Sequence, residues 1–144
     1  MTYLVDVNVW FALSYVAHVH YPIAKSWFED TEADQSAFCG VTQSGLLRLL
    51  TNSRIMGADV VTAAKAWAIN NDLCRDTRVI FAPEPPGLEI AWRDATKHLY
   101  TGPNFWTDAY LAAFAEAGDF TIVTFDRGFL RHRGLNVRLL MPVV

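Results

Sequence analysis

Residues 107–129 read TDAYLAAFAEAGDFTIVTFDRGF. Apolar residues at three- and four-residue intervals predict a helix over Thr107–Ala117. The β-branched run Thr121–Thr124 predicts a strand, closed by the turn-forming DRG of Asp126–Gly128. Outward from this unit the same alternation recurs. Tyr3–Val5, Ala37–Val41, Val79–Phe81 and Val137–Leu140 are further strand candidates, and His20–Glu29, Gln43–Leu50, Val60–Leu73 and Leu88–Leu99 further helices. That order predicts an α/β fold of three layers, α/β/α, around a central, mostly parallel five-stranded sheet. The one breaker cluster, PEPPG at 83–87, is a loop, so residues 1–144 are expected to form a single domain. In such a sheet, ligands gather outside the carboxyl ends of the strands, near a topological switch point.

Composition agrees with a globular domain: 144 residues, 52% hydrophobic and 19% charged, enough to bury roughly 70% of the unfolded surface without disulfide or metal staples. A membrane span needs about 20 apolar residues, and Asp6, His18, His20 and Lys25 interrupt the apolar N-terminus. No signal-peptide pattern is present, so the expected location is cytoplasmic. Cys39 and Cys74 lack metal-ligand spacing and read as buried thiols of a reducing compartment. The net charge of −3 excludes a surface basic all over. It is unevenly spread: Glu29, Asp30, Glu32 and Asp34 cluster, whereas residues 127–144 carry Arg127, Arg131, Arg133 and Arg138 with no acid.

Three aspartates stand where this fold places chemistry. Asp6 ends the first strand in YLVDVNVW, Asp126 follows the fourth, and Asp108 opens the helix in NFWTDAY. Two strand ends and a helix start can converge on one edge, giving oxygen ligands for a hard cation. Singly, each has an ordinary explanation: Asp6 a helix cap, Asp108 a partner for the helix dipole, Asp126 a turn residue. Asn8 and Thr124, two residues from Asp6 and Asp126, can hydrogen-bond those ligands or a substrate. Arg48, Arg127 and Arg131 are candidate phosphate contacts, each weighed against a plain surface charge. His18 and His20 lack a third nearby partner and read as loop residues. Trp27, Trp67 and Trp92 read as core or dimer contacts, while Trp106, just before Asp108, is an aromatic beside the expected site.

The segments VDVNVWFAL, VTQSGLLRLLTN and NFWTDAYLAAFAEAGDFTIVTFDRGF resemble the PIN-domain ribonucleases, in particular the VapC-type toxins of bacterial toxin-antitoxin pairs. The resemblance implies a PIN-like fold and an endoribonuclease in which Asp6, Asp108 and Asp126 hold Mg²⁺, or Mn²⁺, over RNA. It also implies a cognate antitoxin that covers the crevice and a homodimer built from helices. One position departs from the pattern. Where the family usually has Glu, at the start of the helix after the second strand, this chain has Gln43, which keeps a carbonyl oxygen but loses the charge. Gln43 is therefore a further candidate ligand, and a Gln43→Glu change is expected to tighten metal binding. Two other readings stay open: a catalytically weakened PIN module that binds RNA or protein, and an aspartyl phosphatase using Asp6 as nucleophile. The second lacks the acid such enzymes place where Asn8 stands.

Overall fold

The computed structural model describes residues 1–97 and 102–141. Its elements run β1 (Tyr3–Val5), α1 (Val7–Leu13), α2 (Tyr21–Glu29), β2 (Ser36–Phe38), α3 (Gly40–Leu50), α4 (Ser53–Met56), α5 (Ala63–Arg75), β3 (Val79–Phe81), α6 (Leu88–Ala95), α7 (Phe105–Gly118), β4 (Thr121–Thr124) and β5 (Asn136–Leu139). Short 3-10 turns fall at Gly57–Asp59 and Arg127–Arg131. The strands form one parallel sheet in the order β3-β2-β1-β4-β5.

Period-two alternation divides the core between the two faces of that sheet. Val5, Phe38 and Val123 face a layer built from α1, α2, α3 and α5, centred on Trp10, Phe28, Leu46 and Leu50. Their neighbours Leu4, Ala37 and Ile122 face α6 and α7, centred on Leu111, Phe114 and Phe129. Trp10 stacks on Phe38 with ring centroids 3.8 Å apart and planes 6° from parallel. Each such side chain, fully buried, contributes roughly 1.5–3 kcal/mol, so the strands hold the sheet through both faces at once.

The departures from expectation have local causes. Helix α1 was not among the expected helices because VNVWFAL is rich in β-branched and aromatic residues. Burial of Val9, Trp10, Phe11 and Ala12 overrides that propensity. Strand β2 stops at Phe38 rather than Val41, because the Thr42 hydroxyl accepts the Cys39 N–H at 2.9 Å and starts α3 at Gly40. Helix α5 begins at Ala63, where the Thr62 hydroxyl accepts the Lys65 N–H. The helix expected over Leu88–Leu99 ends at Ala95, and residues 98 and 99, with His98, lie outside the described residues. Cys39 is buried as expected, but Cys74 is exposed. Trp27 is core, while Trp67 is about half exposed. No described helix is long and apolar enough to cross a membrane.

Candidate active site

The chain leaves β1 toward β2 on one side and returns to β4 on the other, so the carboxyl ends of β1 and β4 flank the switch point. Asp6 follows β1 directly and caps α1, its Oδ1 accepting the Val7 N–H at 2.7 Å. Its other oxygen, Oδ2, accepts the Thr124 hydroxyl at 2.7 Å. Thr124 is the last residue of β4 and is fully buried. The same hydroxyl oxygen accepts the Asp126 N–H at 2.9 Å and, at 3.5 Å, the Asn8 side-chain amide. Asn8 Oδ1 in turn accepts the Phe125 N–H at 3.4 Å. Asp126 is held by the Gly128 N–H, which donates to its Oδ1 at 2.7 Å. A Cβ at Gly128 would stand 3.0 Å from that same oxygen, so the turn favours glycine there.

Asp108 enters from the first turn of α7. It meets Asp6 and Asp126 across a crevice of about 600 Å³, whose other walls include Asn8, Ser44 and Arg48. The electrostatics carry the mark of crowded acids. Burial foremost, then the charges of Asp6 and Asp126, pushes the Asp108 carboxyl up to about 6, while Arg131 pulls it back. Burial also raises Asp6, opposed by its bonds from Thr124 and Val7 and assisted by the charge of Asp126. Among the described residues, the side-chain donor atoms facing the space are mostly oxygens, from Asp6, Asp108, Asp126, Ser44, Thr107 and the two asparagines Asn8 and Asn104, a set suited to a hard divalent cation. Among the described residues, no three His, Cys, Asp or Glu side chains already close round one ion. The carboxylates instead couple across the crevice.

The structure thus brings together Asp6, Asn8, Arg48, Asp108, Thr124 and Asp126. Gln43 needs correction. It lies one residue round the helix from the crevice wall, and its Nε2 donates to Asn70 Oδ1 on α5 at 3.3 Å. Cys39 occupies the cap position of α3. Ser44 faces the crevice instead and was missed by the sequence reading; because α3 begins at Gly40, Gly40, Val41, Ser44, Gly45 and Arg48 fall on one stripe. Arg127 is exposed outside the crevice, its guanidinium 3.7 Å from the Met141 sulfur. Arg131 lies on an adjoining wall. His18 Nδ1 accepts the His20 N–H, a loop role as expected.

A doubly covered parallel sheet with carboxylates following β1, opening α7 and in the loop after β4 defines an α/β domain with an acidic crevice at its switch point. The chain belongs to the PIN domain family, whose model matches residues 3–135. It is similar to ribonuclease VapC41 of Mycobacterium tuberculosis, 41% identical over 142 residues covering 95% of this chain and 97% of that one. The fold matches the structure of VapC20 from M. tuberculosis, described as a sarcin-ricin loop cleaving toxin. That match has a TM-score of 0.68 and 22% identity, covering 95% of this chain and 99% of that one. VapBC-1 from nontypeable Haemophilus influenzae matches with a TM-score of 0.70 and 14% identity, covering 96% and 98%.

Proposed function

We propose that the whole chain, residues 1–144, is a single-domain, metal-dependent endoribonuclease acting as the toxin of a type II toxin-antitoxin pair. The observation that carries this reading is the coupling of Asp6, Asp108 and Asp126 across one crevice, which leaves a concentration of negative charge that a divalent ion relieves. Kinship to named VapC ribonucleases supplies RNA as the substrate. The ion is Mg²⁺, with Mn²⁺ an alternative for the same oxygen ligands; when bound it acidifies water and screens the scissile phosphate. Asp6, Asp108 and Asp126 hold it. Thr124 fixes the Asp6 carboxylate and the Asp126 backbone, Asn8 braces Thr124, and Arg48 on the facing wall takes a phosphate oxygen. Arg127 and Arg131 extend the basic rim along the RNA. The partner is a small antitoxin whose basic side chain meets the carboxylates, the assembly is a homodimer, and the location is the cytoplasm.

The test is cleavage of a defined mixture of structured RNAs with Mg²⁺, with Mn²⁺ and with EDTA, beside an Asp6→Asn control. Metal-dependent cutting lost in the variant is the expected result. Metal binding by a folded protein that cuts none of them would favour the non-catalytic module. Turnover of a chromogenic phosphate ester lost with Asp6 would favour the phosphatase. Sedimentation showing only monomer at high micromolar concentration would remove the dimer.

A further inference from the structure

Beside the acidic crevice lies a second cavity of about 380 Å³, and the two share Asn104 and Asp108 as a common wall. We propose that this cavity binds the unpaired nucleobase next to the scissile phosphate and so sets where the RNA is cut. The proposal rests on the nuclease reading, since it places the base relative to that site. Its walls suit a planar heterocycle: Ala95, Pro103, Phe105 and Ala109 are apolar, His132 adds a flat ring, and Asn104 brings a hydrogen-bonding edge. Asn104 occupies the cap position of α7 yet makes no capping hydrogen bond, so its amide is not spent on the helix. The His132 ring lies beside buried Phe129, with centroids 6.4 Å apart. Asp108 and Arg131 stand on the same wall and offset one another, so the cavity offers a second phosphate little net attraction, whereas a neutral base fills its apolar part without needing any. The shared wall sets the two cavities side by side, so a base held in the second lies next to a phosphate held in the first.

The test uses RNA hairpins with a randomised loop, cut by the full chain in Mn²⁺ and sequenced at the new ends. The wild type is expected to favour one base beside the cut by about tenfold, the low end of what a hydrogen-bonded base edge discriminates. Asn104→Ala, which alters an exposed residue, and Ala95→Leu, which fills the cavity, flatten that one position while preferences elsewhere persist. Melting curves confirm that both variants fold. Unchanged base preference in both, or a loss of cutting equal for all bases, overturns the proposal. A second readout needs no cleavage: quenching of a single 2-aminopurine in a short RNA, weakened in both variants. If the wild type cuts nothing but quenching still depends on Asn104, the nuclease reading falls and the base pocket stands; if quenching is the same in all three proteins, the pocket falls.

Discussion

Thr124 shows how one hydroxyl can organise a charged site. It donates to Asp6, accepts from the Asp126 backbone and meets Asn8, all from a fully buried position. Thr124→Val keeps the volume but leaves an Asp6 oxygen and the Asp126 N–H without their partner. The expected cost is about 1–3 kcal/mol of stability and about 10–100-fold in RNA cleavage. Thr124→Ser recovers most of both, as denaturant melts and initial rates on one RNA will show. Asp108 makes a pH-dependent prediction. Its carboxyl sits at about 6 in the folded protein against 3.8 ordinarily, so between those values the folded chain holds more protons than the unfolded one. Its contribution to metal-free stability is therefore greatest near pH 4 and declines as the pH rises through 6. Melting temperatures from pH 4 to 8 should fall more steeply for the wild type than for Asp108→Asn. A Tm difference between the two that does not change with pH would contradict this.

At the scale of elements, the site depends on how closely α1 approaches α3. A Cβ on Gly45 would stand 2.7 Å from Val7 Cγ2, and Val7 lies between Asp6 and Asn8. Gly45→Ala must push α1 outward or turn Val7 to another rotamer, at about 1–3 kcal/mol by the usual cost of overpacking. Cleavage should fall further than stability, because the displaced helix start carries Asp6; equal loss in a stability-matched core variant would argue against it. The α3 face also revises the expectation for position 43. Since Gln43 donates to Asn70 rather than lining the crevice, Gln43→Glu should lose that bond and leave the metal titration within about twofold. Tighter binding would mean the side chain swings into the site. The strands and the three aspartates were legible in sequence because apolar runs ending in Asp carry their own pattern. The turn of α3 was not, since its phase depends on the Cys39–Thr42 capping pair, a two-residue choice that decides whether Gln43 or Ser44 faces the acids. Helix α1 was hidden for a related reason, its helicity coming from burial against Phe38 and Phe28 rather than from propensity.

For the molecule as a whole, the proposed function sets a difficulty: a chain of net charge −3, with three carboxylates in the crevice itself, has to attract a polyanion. Long-range attraction cannot supply much, because the total charge has the wrong sign and exposed charges are screened beyond about 10 Å at 0.1 M salt. On the proposed reading the affinity comes from local contacts: Arg48 inside the crevice, with Arg127 and Arg131 on the turn that follows Asp126. Three phosphate contacts to single-stranded RNA predict that log K falls with log[salt] at a slope of about −2. That is shallow beside a protein coated in basic residues, and it separates contact from general charge. Arg48→Ala should reduce the slope by roughly one contact's worth, about 0.7. Removing Arg93, which is exposed and paired with Glu89 on α6, should leave it unchanged. Fluorescence anisotropy of a labelled RNA on the Asp6→Asn protein between 50 and 300 mM KCl, roughly the range in which counterion release dominates, measures all three. A steep slope that ignores Arg48 would place the RNA on some other surface and separate binding from the carboxylate crevice.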